Sequence, residues 1–143
     1  MKTSVEAANR PNVGLWIDHH KAIFVSLADG QEQLEILESD LESHPRLAGG
    51  SRGKTPYGVQ DVASQSKWDQ RYQEHLHRYY RDVIDHLRNA DRIYLLGPGA
   101  AKNELRKEIE KNKELGWRVV GIDTTDKMTD RQLAARVREY FAA

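Results

Sequence analysis

The chain is 143 residues long, contains no cysteine, and balances 22 basic against 22 acidic side chains. That length suits one domain able to bury roughly two-thirds of its unfolded surface without staples, and the missing cysteines exclude disulfides, thiolate metal sites and thiol nucleophiles together. Zero net charge excludes a general nucleic-acid coat, and no apolar run approaches the roughly 20 residues that span a membrane.

Met1 to Asn12 is polar and lacks the apolar centre of a signal peptide. A soluble cytoplasmic protein is expected, with a disordered leader over residues 1–12 and one domain over 13–143. Val13-Gly14-Leu15-Trp16-Ile17-Asp18 and Ala22-Ile23-Phe24-Val25-Ser26-Leu27 are β-branched, aromatic and apolar, so they read as strands joined by a short polar turn. Ala28-Asp29-Gly30 closes the second, and Leu34 to Glu38 makes a third, completing an antiparallel meander. From about residue 40 to 66 there is little periodicity and much Gly, Ser and Pro, which predicts a long mobile loop.

A helix of about six turns is predicted from Lys67 to Asn89, because Trp68, Tyr72, Leu76, Tyr79, Tyr80, Val83, Ile84 and Leu87 recur at spacings of three and four. Its polar face carries Lys67, Arg71, His75 and Arg78 nearly in line. Arg92 to Leu96 is a buried strand, Gly97-Pro98-Gly99 turns it into a charged helix from about Ala100 to Leu115, and Gly116 reads as the C-cap. Trp117 to Ile122 is a fifth strand, and Thr129-Asp130-Arg131 begins a last helix with Leu133, Ala134, Val137 and Phe141 inward. Trp16, Trp68 and Trp117 are assigned to the core. The expected fold is therefore α/β: a single domain with a mixed five-stranded sheet, first a meander and then alternating helix and strand, and helices on its faces.

Within the long loop, Gly53-Lys54-Thr55-Pro56-Tyr57-Gly58-Val59-Gln60 places a neutral amide at a glycine-containing tip flanked by cations, with almost no apolar content to hold it down. Charge supports a polyanionic target for this segment. Residues 1–43 hold three basic and eight acidic side chains, whereas residues 44–81 hold seven basic and three acidic. A glutamine has no useful pKa, so it cannot serve as a general base near neutral pH. It can orient a water, and a neighbouring backbone N–H can stabilise the oxyanion formed when an ester is attacked.

The Gly53-Lys54-Thr55 approach, the Gly58 to Gln60 tip, the Lys67-Trp68-Asp69-Gln70-Arg71 helix start and the turn Gly97-Pro98-Gly99-Ala100-Ala101-Lys102-Asn103-Glu104 occur in an order that resembles the middle domain of the archaeal and eukaryotic class-1 peptide-chain release factors, whose loop carries Gly-Gly-Gln. The resemblance covers roughly residues 13 to 141. It implies a ribonuclease-H-like, translational-machinery-component type of fold. It further implies that Gln60 occupies the position of the family's essential glutamine, Gly58 that of its first glycine, and Lys54 that of a cation beside ribosomal RNA, and the charge of the segment adds Arg52, Lys67, Arg71 and Arg78 as RNA-binding candidates. In that family the loop enters the peptidyl-transferase centre and promotes hydrolysis of the peptidyl-tRNA ester, with no cofactor. The implied partners are the large ribosomal subunit and peptidyl-tRNA. Val59 departs from the pattern: it stands where the family has its second glycine, and a β-branched residue is strongly disfavoured at positive φ. The codon-reading and partner-recruiting domains of a release factor do not fit in this chain, so the resemblance implies a stand-alone form. A non-catalytic ribosome or RNA-binding module is the alternative on the same surface.

Three further motifs have competing readings. Asp18-His19-His20 spells a phosphoesterase metal signature, but it sits where polar turn residues are wanted. Asp18 and Asp123, each near a strand end, suit a magnesium-dependent nuclease only if a third carboxylate joins them. Gly97, Gly99 and Lys102 ahead of a helix offer a phosphate turn, against which Pro98 removes one donor and a plain tight turn is the simpler reading. His75 and His77 diverge by about 200° on a helix and cannot share a metal, and His86 reads as a half-buried helix residue.

Overall fold

The computed structural model describes residues 10–40 and 58–142, with the backbone alone over 58–66. The strands are β1 (Asn12–Ile17), β2 (Lys21–Ala28), β3 (Gln31–Glu38), β4 (Arg92–Gly97) and β5 (Val119–Thr124). They form one sheet in the order β3-β2-β1-β4-β5, antiparallel from β1 to β3 and parallel across β1, β4 and β5. The helices are α1 (Gly58–Leu87), α2 (Ala101–Glu110), the single turn α3 (Lys113–Gly116) and α4 (Asp130–Ala142). This is the mixed five-stranded α/β sheet expected from the sequence.

Local chemistry accounts for the meander. The Asp18 carboxylate accepts the backbone N–H groups of His20 and Lys21, both at 2.8 Å, and folds the first hairpin back on itself. Asp29 and Gly30 take φ of 51° and 76°, the two positive values that a two-residue hairpin turn of matching twist requires, and Ala28 pairs directly with Gln31. The polar turn reading of residues 18–20 therefore holds. The parallel step from β1 to β4 needs a crossover, and α1 lies within it.

β1 and β4 are central and apolar on both faces, as strands covered from two sides should be. On one face Leu15, Ile17, Ile93 and Leu95 meet α1, α2 and α3 through Tyr79, Val83, Leu87, Leu105, Ile109 and Leu115. On the other Trp16, Val25, Tyr94 and Leu96 meet Leu133, Ala134 and Val137 of α4. A Cβ on Gly14 would lie 2.2 Å from a Val137 methyl, so α4 sits directly on β1. Thr129 and Gln132 cap α4 reciprocally, the Thr129 N–H donating to Oε1 of Gln132 and the Gln132 N–H to Oγ1 of Thr129.

Several boundaries differ from expectation. α1 begins at Gly58, not Lys67, so the last nine residues of the expected loop are helical. The helix expected over 100–115 stops at Glu110. Asn112 adopts an extended backbone and its side chain accepts the Leu115 N–H at 3.2 Å, starting a new turn. Gly116 is then the last residue of α3 and does not take the left-handed conformation of a C-cap glycine. Trp117 follows it as an 85% exposed residue and is not core, because the chain turns a corner there before the edge strand β5 starts at Val119. Trp16 is buried as expected, with its indole N–H donating to the Asp126 carbonyl. Residues 1–9 of the expected leader and most of the expected loop, including Arg52 and Lys54, lie outside the described residues, while Asn12, expected in the leader, opens β1 and the Pro11 carbonyl accepts the Asp91 N–H.

Candidate nucleic-acid interface

A 30-residue helix is roughly 45 Å long, whereas a six-residue strand spans roughly 20 Å, so α1 cannot rest on the sheet along its whole length. Its C-terminal half does the resting. Leu76, Tyr79, Tyr80, Val83, Ile84 and Leu87 are buried, and Tyr72 is the half-buried edge of that stripe. Residues 58–71 precede that buried stripe and add roughly 20 Å of helix to it. Gly58, Val59 and Gln60 form the first turn of this projecting part, and the helical backbone there suits a β-branched residue at position 59.

The point where α1 leaves the body is fastened by hydroxyl groups. Tyr79 donates to the carbonyl of Asp18 at 3.0 Å, and Tyr80 donates to Oε1 of Glu104 at 2.6 Å. Nε2 of His19 stands 3.1 Å from the same carboxylate oxygen. Glu104 thus ties the β1–β2 turn, α1 and α2 together. Burial first, and then the Asp18 charge, pushes the Tyr79 hydroxyl far above its ordinary pKa; burial and then the Glu104 hydrogen bond do the same to Tyr80. Both hydroxyls therefore stay protonated donors at any physiological pH. None of these contacts was read from the sequence, where both tyrosines appear only as part of an apolar stripe.

Opposite the buried stripe, Lys67, Arg71 and Arg78 are exposed, as their spacing predicts. His75, placed in the same line, is half-buried, and Arg81 extends the cationic face instead. Arg71, Arg78 and Arg81 have no carboxylate partner among the described residues. By contrast Arg88, Arg106, Arg118 and Arg138 each face one, at Asp85, Glu110, Glu114 and Glu32.

The other sequence candidates are placed elsewhere. Gly97 has φ of 143° and a Cβ there would meet the Ile17 carbonyl at 2.3 Å, so only glycine fits this close approach. Lys102 is buried and its ammonium donates to the Gly99 carbonyl at 2.7 Å, which uses the charge to close the turn. Asp123 accepts from Tyr94 and faces Arg136 at 3.7 Å, while Asp18 holds its hairpin. Among the described residues no three His, Cys, Asp or Glu side chains gather for a metal. His86, expected to be half-buried, is exposed, with one ring face stacked on Phe24 at 5.3 Å. No described helix is long and apolar enough to cross a membrane.

No family model matches the chain, and no curated protein matches it. Solved structures do. The Pelota protein of Thermoplasma acidophilum is 16% identical with a TM-score of 0.53 over 96% of this chain and 34% of that one. An archaeal translation termination factor, aRF1, is 11% identical with a TM-score of 0.54 over 99% of this chain and 44% of its own. Pelota of Archaeoglobus fulgidus is 15% identical with a TM-score of 0.50, covering 99% and 40%. The chain spans between a third and a half of these proteins, and at such identity the likeness is one of fold.

Proposed function

We propose that this protein is a translation factor that acts on ribosomes, bringing Gly58-Val59-Gln60 at the end of α1 to the ester of a peptidyl-tRNA while the cationic face of the helix contacts rRNA of the large subunit. The observation that carries this reading is the projecting first half of α1, with Gln60 in its first turn and unpaired arginines behind it, on a fold shared with Pelota and aRF1. Arg52 and Lys54 extend the same contact from the preceding segment. The Gln60 amide would orient a water toward the ester carbonyl carbon. The tetrahedral oxyanion collapses to the free peptide acid, and the tRNA 3′ oxygen leaves as a hydroxyl after taking up a proton. The amide itself exchanges no proton, and RNA supplies the rest of the site.

Release of a labelled peptide from programmed large subunits tests this. Wild type should release, Gln60→Ala should lose about 10² to 10³ in rate while still binding, and Val59→Gly should match or exceed wild type. Equal release by wild type and Gln60→Ala would remove Gln60 from the chemistry. Val59 favours the non-catalytic module as the second reading. It is adopted if wild type releases nothing and Val59→Gly gains release.

A further inference from the structure

We infer that the nucleic-acid contact continues down α1 into a groove shared with α2, where Arg78, Arg81 and Lys111 bind the phosphodiester backbone of an RNA strand. The inference rests on the RNA-binding reading above and extends it from the helical line Lys67, Arg71, Arg78 to Arg81 and Lys111, which that line does not include.

The groove is a concavity of about 450 Å³ lined by Glu74, His77, Arg78, Arg81, Glu108 and Lys111. A second concavity of about 280 Å³ shares Arg81, Glu108 and Lys111 with it and is also lined by Arg88 and Asn112. From Arg71 to Arg88 the face runs roughly 25 Å along the helix axis, enough for several nucleotides of one strand. Its carboxylates are mostly engaged already: Glu108 by Lys111 at 3.2 Å and His77 at 3.5 Å, Asp85 by Arg88 at 3.0 Å. The two guanidinium groups at its centre, Arg78 and Arg81, are not engaged by any described carboxylate.

That pattern suits a phosphate ligand. A guanidinium presents paired N–H donors that match two phosphate oxygens, and Arg78 and Arg81, three residues apart, project side by side over the groove. Lys111, exposed at the end of α2, closes the opposite wall with a point charge. Arg71 and Lys67 are exposed on the same helix face beyond the groove, so one strand can follow the helix from its N-terminal half to its base. The polar, largely charged lining favours backbone contact over base stacking.

The test uses the full chain and the double variant Arg81→Ala/Lys111→Ala, with Arg131→Ala on α4 as a control cation. Binding is measured to purified large ribosomal subunits, to a labelled 20-nucleotide single-stranded RNA, and to polyglutamate, each across a salt titration. The double variant should lose about tenfold in RNA affinity and reduce the salt slope by about one per residue, while Arg131→Ala changes neither. Loss on free RNA with no subunit binding by wild type upholds the groove and overturns the ribosomal reading. An unchanged affinity and slope in the double variant overturns the groove, as does failure of wild type to bind RNA in either form. Polyglutamate bound as tightly as RNA, and lost in the double variant, would make the surface an acidic-peptide site and also overturn the inference.

Discussion

The two halves of α1 are one unbroken helix with opposite relations to the rest of the molecule. From Leu76 to Leu87 its apolar stripe is sealed against β1 and β4, and from Gly58 to Arg71 the same backbone runs on ahead of that stripe. Hydrophobic burial holds the C-terminal half. A helix can thus be anchored by half its length and use the remainder as a rigid arm. Near the start of the buried stripe, Tyr79 and Tyr80 add hydroxyl hydrogen bonds, Tyr80 to Glu104, to their apolar contacts.

The largest way to break this comparison is in the anchored half. Leu95 is fully buried on the face that receives α1, and truncation there leaves a cavity that the surrounding strands and helices fill only partly. Leu95→Ala should cost about 2 to 5 kcal/mol, read from the midpoint of urea unfolding, and the same substitution at Val83 should cost somewhat less. A loss below about 1 kcal/mol at Leu95 would mean that the arm is not anchored by this core.

The division between the halves is sharpened by alkali. Tyr79 and Tyr80 have folded pKa values raised above 10, so in the folded state they keep protons that the unfolded chain gives up. Their contribution is fully present below pH 10 and is lost as the pH climbs from 10 toward the folded values. Each tyrosine should lower stability by about 1.4 kcal/mol per pH unit over that range. Unfolding midpoints should be level from pH 7 to 9.5 and fall above 10. Tyr80→Phe should cost about 1 kcal/mol at neutral pH, through the lost bond to Glu104, and should flatten the alkaline slope. An unchanged alkaline slope in the Tyr79→Phe/Tyr80→Phe double variant would show that other groups govern it.

What the sequence showed and hid follows the same boundary. Strands β1 to β4 and the anchored stripe of α1 were legible because burial imposes a period on apolar residues, and Asp29-Gly30 and Thr129 to Gln132 carry local turn and cap chemistry. The start of α1 at Gly58 was hidden, since Gly58, Gln60, Ser64, Gln65 and Ser66 carry no apolar period by which a helix is recognised. Trp117 was misread because size suggests core, while its place at a corner beside an edge strand decides its exposure. The junction was out of reach altogether. His19 and Glu104 are 85 residues apart and Tyr80 and Glu104 are 24 apart, and no local pattern announces such pairs.

The smallest effect on stability belongs to the projecting half, and there it separates an arm from a body. Lys67 and Arg71 are exposed on the side away from the core, and Arg71 has no described ion pair to lose. Substitutions at such positions usually fall within roughly 0.5 kcal/mol of neutral, so Lys67→Ala/Arg71→Ala should unfold in urea at the wild-type midpoint. The same variant should bind large subunits with a salt slope lower by about two, because two phosphate contacts and their released counterions are gone. A stability loss as large as that of Tyr80→Phe would place this stretch within the body of the fold. An unchanged midpoint with an unchanged salt slope would leave these cations as a solvated helix face, and the RNA contact would then have to lie lower on the helix.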